Sequence, residues 1–406
     1  MPLALCHNVV MHSPDATSSL PPPSPPVPPV LPVLDLRRFR DASTRSAFVA
    51  ELRGALTTRG FFYLVGTGVP PSTRARAMES ARQFFAQPSS SKRTIDSSLS
   101  PHVRGFSELG AERTVGAVDI REVWEMGPEA APLGRAAAAE QPPFMRLQGP
   151  NLWPSTPATF QPTIGELFHS LTDVCEELMQ GAALALGQDE GYFGAEATGY
   201  FADRGTAFKL KCCSYPPTSA AATGAQRAGG SIDSGKEAAA AASPSHGVGP
   251  HKDYGFLAVI DSDVAGLQVL DRHGDWLSVP LLEDALVVNS GELLELASGG
   301  AFMAATHRVR ATGADAGQAR LSLCFFYNPG FNAVVRPVPT LPAQLAGAAE
   351  ANRAVRAAAA AAGEGTDLYS AAAARPYGES ALRGYLRSLP HIFEAHHPDL
   401  VEADRA

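Results

Sequence analysis

Three residues with metal-binding side chains, His251, Asp253 and His307, are the strongest candidates for chemistry in this sequence. A single residue separates His251 from Asp253, so on an extended strand both side chains project from the same face. His307 lies farther along the chain, in a second stretch with an alternating pattern. Two imidazoles and one carboxylate on one side of an ion leave its other positions open, which is typical of iron(II) sites that react with oxygen. The pattern predicts a metal centre with reactive open positions.

An arginine and a hydroxyl form a second candidate site shortly after His307. Arg320 and Ser322 alternate with Leu321 and Leu323, so they share one face of a predicted strand. A guanidinium on an otherwise apolar strand needs an anion; it binds a carboxylate at two points, and a neighbouring hydroxyl adds a donor. The alternative is a structural salt bridge within the protein. Because a histidine and an aspartate one residue apart are common by chance, the metal hypothesis depends on such context.

Short apolar runs, divided by Gly, Asp, Asn and Pro, must position these residues. They begin after residue 205 and have the length and spacing of strands in an antiparallel sandwich or jelly roll. The runs cover residues 206–215, 254–260, 266–271, 275–280, 285–289, 305–310 and 319–327. The predicted fold is α+β with a mainly β core, a double-stranded β-helix (jelly roll) flanked by N-terminal helices.

The N-terminal half shows helical spacing instead. Apolar residues predict a helix over residues 43–59, a strand over 61–65, a second helix that ends at Pro88 and a long third helix over 159–187. The inward positions of the first helix are Ala47, Phe48, Leu52, Ala55 and Leu56. Those of the second are Ala75, Met78, Ala81 and Phe85. These helices are expected to cover the β core.

Composition divides the chain into four parts. They are a disordered Pro-rich tail over residues 1–31, an N-terminal helical and mixed region over 32–205, a jelly-roll core over 206–335, and an Ala-rich segment with a closing helix over 336–406. A low-complexity insertion over 218–246 interrupts the core. Residues 89–158 show no regular pattern, and Trp124 and Trp153 within them are expected in the core or in a pocket wall.

The overall composition excludes several classes of protein. The 406 residues carry a formal net charge of -8 and no Lys/Arg cluster, which argues against a nucleic-acid partner. Five cysteines without regular spacing indicate neither a disulfide framework nor a structural zinc site. No Lys or Arg precedes Arg37, and no apolar run is long enough to span a bilayer. These features predict a cytoplasmic monomer that binds a small molecule and has no membrane partner.

Ordered motifs over much of the chain resemble one family. In the first half they are Pro32-Val33-Leu34-Asp35-Leu36, Gly60-Phe61-Phe62-Tyr63-Leu64-Val65 and Gly149-Pro150-Asn151-Leu152-Trp153-Pro154. In the second half they are Gly249-Pro250-His251-Lys252-Asp253-Tyr254-Gly255, Gly266-Leu267-Gln268-Val269, Val287-Val288-Asn289-Ser290-Gly291-Glu292, Ala305-Thr306-His307-Arg308-Val309, and Arg320 with Ser322 before Phe325-Phe326-Tyr327-Asn328-Pro329. With these motifs the chain resembles the 2-oxoglutarate- and iron(II)-dependent oxygenases of the isopenicillin N synthase-like group.

The resemblance implies a role for each candidate residue. It makes His251, Asp253 and His307 the ligands of Fe(II), and Arg320 with Ser322 the clamp on the distal carboxylate of the cosubstrate 2-oxoglutarate. Tyr215 matches the family tyrosine that helps to orient the cosubstrate. The sequence departs from the family pattern beside it, because Cys213 stands where relatives often have Asn and Ser214 where they often have Tyr.

The implied activity is hydroxylation, desaturation or cyclisation of a small molecule by O2, with release of succinate and CO2 from 2-oxoglutarate. Three alternatives stay open at this point. One is an iron(II) oxidase that keeps the three ligands but takes all its electrons from the substrate, and another is a jelly-roll protein that has lost catalysis and binds a metabolite. A zinc hydrolase could also use two His and one carboxylate, although the sequence has no HExxH-type helix.

Overall fold

The computed structural model describes residues 30–405, except 115, 135–139, 195–196, 203–206, 218–245, 311–318 and 362–374. The predicted disordered tail and the low-complexity insertion therefore lie almost wholly outside the described residues. The structure differs from expectation at their edges. Leu31 is buried in one apolar cluster with Phe61 and Tyr63, because its side chain packs beside the first strands, and His246 begins a strand.

The strands form two main sheets and a small hairpin. In chain order they are β1 (Val33–Asp35), β2 (Phe61–Val65), β3 (Gly105–Ser107), β4 (Arg113–Thr114), β5 (Ala117–Val118), β6 (Glu122–Met126), β7 (Lys209–Tyr215), β8 (His246–His251), β9 (Leu257–Ser262), β10 (Leu267–Leu270), β11 (Trp276–Ser278), β12 (Leu286–Ser290), β13 (His307–Arg310) and β14 (Arg320–Tyr327). The large sheet has the order β1-β2-β12-β9-β14-β7-β6-β3 and the small sheet the order β11-β10-β13-β8.

From β8 onward the chain passes back and forth between these two sheets. Within both sheets, neighbouring strands pair antiparallel except β1 with β2. Two apolar clusters join the sheets. One contains Phe61 of β2 with Val269 of β10, and the other contains Cys213 of β7 with Val309 of β13. This arrangement confirms the predicted double-stranded β-helix.

Helices cover the outer face of the large sheet. In chain order the α-helices are α1 (Arg37–Arg40), α2 (Arg45–Thr58), α3 (Pro71–Phe85), α4 (Ser89–Lys92), α5 (Phe160–Ala185), α6 (Glu292–Ala297), α7 (Ala343–Ala361), α8 (Tyr377–Ser388), α9 (Pro390–His396) and α10 (Pro398–Arg405). Phe168 of α5 meets Phe325 of β14 edge to face, with ring centroids 5.2 Å apart. Because Phe325 alternates with Cys324 and Phe326, those two neighbours face the interior of the barrel.

The three long N-terminal helices form where the apolar spacing predicts them, and the buried stripe of α5 is confirmed. Two details of the shorter helices were wrong. Ala47 of α2 and Ala75 of α3 are exposed, and α3 turns Ala77 and Phe84 into the core instead. Alanine is small enough to lie on either face of a helix, so it fixes the direction of the stripe poorly. Thr44 precedes α2, but its hydroxyl donates to the Arg38 carbonyl and does not cap the helix.

The region over residues 89–158 is less irregular than its sequence suggests. It supplies β3 and β6, which extend the large sheet beyond β7. Glu122 and Glu125 place charges within β6, so the strand has no apolar pattern, and pairing with β7 holds it in place. Trp124 is fully buried in the core, and Trp153 packs on it with ring centroids 4.9 Å apart.

The C-terminal region is helical where the structure describes it. The Ala-rich segment contains α7, and the closing helix expected within residues 336–406 corresponds to α8. Among the helices of the described ranges, none combines the length and apolarity needed to cross a bilayer.

Candidate metal and cosubstrate site

His251 and His307 lie opposite each other on two paired strands of the small sheet. They are direct partners in the register between β8 and β13, and their ring centroids are 4.3 Å apart. β8 ends at His251, so Asp253 lies just past the strand and not on it as the sequence predicted. The turn still brings its carboxylate between the rings: Oδ1 is 3.8 Å from Nε2 of His251 and Oδ2 is 3.7 Å from Nε2 of His307. We call these three residues the metal triad.

Backbone carbonyls orient both imidazoles of the metal triad. Nδ1 of His251 donates to the Gly249 carbonyl at 2.9 Å, and Nδ1 of His307 donates to the Ala305 carbonyl at 3.2 Å. Since a carbonyl only accepts, each Nδ1 carries the proton and each Nε2 keeps a lone pair for an ion. Burial and the neighbouring His307 lower the pKa of His251 to about 4, so its ring is neutral at physiological pH.

The carboxylate of the triad has its own hydrogen-bond donor. Nδ2 of Asn289, on β12, donates to Oδ2 of Asp253 at 2.7 Å, and Asn289 is fully buried. Burial raises the pKa of Asp253, but attraction to His307 and His251 and this hydrogen bond lower it overall. Asp253 is therefore ionised and fixed in direction. The sequence had shown Asn289 only as part of a motif, without a role.

This donor set fits a divalent transition metal. One ligand atom from each residue lies within 4.8 Å of the others, and the described residues offer no other such cluster of three or more His, Cys, Asp or Glu side chains. Two imidazoles and one carboxylate match the ligands that non-haem iron(II) prefers.

Arg320 occupies the facing wall of the barrel. Its guanidinium donates from Nε to the Val264 carbonyl at 3.0 Å, from Nη2 to the Ser262 hydroxyl at 2.9 Å and from Nη1 to the Ser322 hydroxyl at 3.4 Å. The residue is only 2% exposed. Within the described part of the chain, no carboxylate comes within 4.0 Å of it, so the alternative of a structural salt bridge has no support.

Tyr215 lies against this arginine. It is the register partner of Arg320, and the guanidinium carbon sits 4.9 Å from the centroid of its ring. Burial raises the pKa of Tyr215, so its hydroxyl stays protonated and can donate. The structure thus brings all six predicted site residues to the two facing walls of one barrel.

Cys213 follows on the same inner face, beside Ser322. The two residues are register partners, and Sγ of Cys213 is 3.9 Å from Nη1 of Arg121. A hydrogen bond with Cys324 lowers the pKa of Cys213 to about 7, with help from Arg121 and against the effect of burial. The thiol replaces the family amide at a position that contacts the arginine strand.

Sequence reasoning missed a group of buried ion pairs at the other end of this face. Lys211 contacts Glu112 at 2.7 Å and Glu125 at 3.0 Å, while Arg121 contacts Glu112 at 2.8 Å and Asp119 at 3.1 Å. We call these five residues the inner charge cluster. Burial raises the pKa of Glu112, but Lys211 and Arg121 bring it down to about 2. A charge inside β6 or β7 was the available signal, because strands rarely bury unpaired charges.

Fold and donor set together define the class of non-haem iron oxygenases built on a double-stranded β-helix. Family models match in two places: the description "non-haem dioxygenase in morphine synthesis N-terminal" over residues 31–156, and "2OG-Fe(II) oxygenase superfamily" over residues 233–329.

Two curated relatives and one solved structure illustrate the likeness. A 2-oxoglutarate-dependent dioxygenase, frbJ, of Dothideomycetidae sp. (strain 11243) is 30% identical over 302 residues, covering 74% of each chain. Homoarginine-6-hydroxylase 2-ODD-C23 of Glycine max is 28% identical over 314 residues, covering 76% of this chain and 85% of the relative. The structure of Neurospora crassa T7H with alpha-KG matches with a TM-score of 0.59 at 23% identity, covering 78% of this chain and 90% of that one.

The chain belongs to the 2-oxoglutarate- and iron(II)-dependent dioxygenases. It is therefore an oxidoreductase that uses Fe(II) and 2-oxoglutarate to oxidise a small molecule with O2. This confirms the family, the cofactors and the activity that the motifs implied.

Proposed function

We propose that the metal triad holds the iron(II) of this dioxygenase and that Arg320 and Ser322 bind the distal carboxylate of 2-oxoglutarate. The observation that carries the proposal is the pairing of two complementary sites across one barrel. Three ligand atoms converge on one wall, and a buried arginine without a carboxylate partner among the described residues lies on the other. A dicarboxylic keto acid can span such a pair, with one end at the metal and the other at the guanidinium.

In this proposal the protein's residues do the positioning. Gly249 and Ala305 fix the imidazoles through their carbonyls, and Asn289 fixes the carboxylate of Asp253. Tyr215 supports the Arg320 guanidinium from one side. Iron(II) supplies oxygen activation when it is bound, while 2-oxoglutarate supplies two electrons as it becomes succinate and CO2. The buried walls around the triad keep bulk water away from these groups.

The test is Asp253→Ala, which removes one ligand and the charge that balances the ion. We expect iron binding and 2-oxoglutarate-dependent succinate formation to fall by at least 100-fold. The measurements are metal content after iron loading and succinate release under air. The matched control is Asp275→Ala, which removes an exposed carboxylate from the turn between β10 and β11. Wild-type iron content in Asp253→Ala would contradict the proposed ligands.

We further propose that the chain is divided into four units, with bounds at residues 1–31, 32–205, 206–335 and 336–406. We also propose that the protein is a monomer in the cytoplasm and has no nucleic-acid partner. Support comes from the sequence patterns and from a site that a single chain supplies in full. The described cysteines are unbridged thiols, in keeping with a reducing compartment. Sedimentation equilibrium tests the monomer, and a stable dimer would contradict it.

A further inference from the structure

Lys209 begins β7 and faces the interior of the barrel. It alternates with Leu210, so it shares the inner face with Lys211 and Cys213. Its ammonium lies 5.2 Å from the centroid of the Phe326 ring and 5.0 Å from the centroid of the Tyr385 ring. It donates to the Tyr385 hydroxyl at 3.4 Å. A half-buried cation therefore sits between two aromatic rings.

The Lys209 ammonium has no direct acidic partner in the described part of the chain. Among the described residues, no carboxylate lies within 4.0 Å of Nζ of Lys209. The carboxylates of the inner charge cluster each have a cation within 3.1 Å already, from Lys211 or Arg121. Tyr385 separates Lys209 from this cluster, because its hydroxyl donates to Glu125. Lys209 is thus left with a phenol and two rings as neighbours.

The position of Lys209 relates directly to the metal triad. A row of paired residues crosses four neighbouring strands of the large sheet, β12, β9, β14 and β7. Its members are Asn289, Ala258, Phe326 and Lys209, in that order. Asn289 holds Asp253 at one end of the row, and Lys209 stands at the other. Three strand spacings of about 4.8 Å each separate these ends. This distance is long enough for the body of a small molecule to lie between Asn289 and Lys209.

The closing helix covers the same end of the barrel. α8 carries Tyr385, which contacts Lys209, and Gly384, where an added Cβ would lie 3.2 Å from the Tyr254 ring. Tyr254 directly follows the triad residue Asp253. A second buried cation, Arg104, lies close to Gly127, where an added Cβ would be 2.5 Å from Nη2. Gly127 directly follows Met126, which pairs with Leu210, so Arg104 lies near the start of β7.

We propose that Lys209 binds a carboxylate of the prime substrate, so that the enzyme oxidises a small organic acid at a carbon several bonds from that carboxylate. The aromatic rings of Phe326 and Tyr385 would pack against its apolar body. Arg104 adds positive potential at the same end. This inference rests on the proposed function, because Lys209 faces the reaction only if the metal triad holds the iron.

Matched acids and amides test the inference. The probes are 4-phenylbutanoate with 4-phenylbutanamide, and octanoate with octanamide, titrated by calorimetry into the iron- and 2-oxoglutarate-loaded protein without oxygen. We expect each acid to bind the wild type at least tenfold more tightly than its amide. In Lys209→Met the two should bind within about twofold of each other. Arg383→Met removes an exposed cation from α8 and should keep the wild-type preference.

Each other result counts against the inference. Amides that bind as tightly as acids, an acid preference that survives in Lys209→Met, or a wild type that binds no probe would overturn it. If Lys209→Met folds poorly by circular dichroism, Lys209→Gln replaces it and should likewise bring each acid and its amide within about twofold of each other. Failure of the proposed function looks different, since Asp253→Ala would then keep the iron content of the wild type, whatever the probes do.

Discussion

Two arginines with little exposed surface, Arg121 and Arg320, lie at the inner face of the large sheet, and their surroundings differ. Arg121 lies against Glu112 and Asp119, at 2.8 and 3.1 Å, within the inner charge cluster. Among the described residues, the Arg320 guanidinium has two hydroxyls and a carbonyl as hydrogen-bond partners, and no carboxylate. Taking a charge out of water is costly unless another charge compensates for it. Arg121 is compensated within the protein, whereas Arg320 requires a partner from outside.

This difference separates a structural region from a ligand-binding one. The inner charge cluster joins β6 and β7 to the segment before them, so its ion pairs hold the end of the large sheet together. In the proposed function, the region around Arg320 instead uses its positive charge to bind the distal carboxylate of 2-oxoglutarate. Removing a charge should therefore affect stability in the first region and ligand affinity in the second.

The largest effect is expected at Arg320. Under the proposed function, Arg320→Leu leaves the carboxylate of 2-oxoglutarate without its buried partner, a change that costs about 2–5 kcal/mol. We expect the KM for 2-oxoglutarate to rise by about 30-fold or more, measured by succinate formation. Thermal stability and iron content should stay near the wild-type values. A large drop in stability with an unchanged KM would place Arg320 in the structural region instead.

Substitution of Glu112 is expected to lower stability and to leave the binding of 2-oxoglutarate nearly unchanged. Glu112→Gln leaves Lys211 and Arg121 short of one counter charge, and we expect a loss of about 3 kcal/mol in the free energy of unfolding. Denaturant unfolding at pH 7 measures this loss. The KM for 2-oxoglutarate should change little, and a rise comparable to that of Arg320→Leu would erase the distinction between the two regions.

The contribution of Glu112 to the free energy of unfolding should also depend on pH. The folded-state pKa of Glu112, about 2, lies below its ordinary value of 4.5. Its contribution to stability is therefore complete above pH 4.5 and is lost as the pH falls towards 2. Acid should narrow the stability difference between the wild type and Glu112→Gln. A difference that stays constant down to pH 2 would contradict this assignment.

The region around Arg320 and the metal triad could be predicted from the sequence, because its chemistry fixes residue types at short spacings. His251 with Asp253, and Arg320 with Ser322, each fit an i, i+2 pattern on an extended strand. The jelly-roll fold followed from apolar runs on β9 to β14. Even so, the sequence placed Asp253 on the strand, whereas β8 ends two residues earlier.

The inner charge cluster could not be predicted in the same way. Glu112, Asp119 and Arg121 come from a stretch without apolar periodicity, and Lys211 meets them only after β6 pairs with β7. Such contacts depend on pairing between distant segments, which spacing within one segment does not reveal. For the same reason the surroundings of Lys209 could not be predicted, because its neighbours Phe326 and Tyr385 lie on other elements.

A smaller effect is expected at Asn289, which supports the metal triad from the large sheet. Asn289→Ala removes the hydrogen bond to Oδ2 of Asp253 but keeps all three ligands. Loss of such a supporting contact typically weakens metal affinity by about 10–100-fold. Competition with a chelator should show this loss, while the KM for 2-oxoglutarate measured at saturating iron stays within a fewfold. Wild-type iron affinity in Asn289→Ala would mean that the hydrogen bond does not orient the ligand.

The smallest effect is expected at Ser322. Its hydroxyl lies 3.4 Å from Nη1 of Arg320 and faces Cys213 across the strands. Ser322→Ala removes one neutral donor from the carboxylate site, worth about 1 kcal/mol, so the KM for 2-oxoglutarate should rise about fivefold. Ser278→Ala, at an exposed hydroxyl of β11, is the matched control. A rise as large as that of Arg320→Leu would mean that the serine positions the guanidinium and that the two residues act as one unit, which the double variant would show by non-additivity.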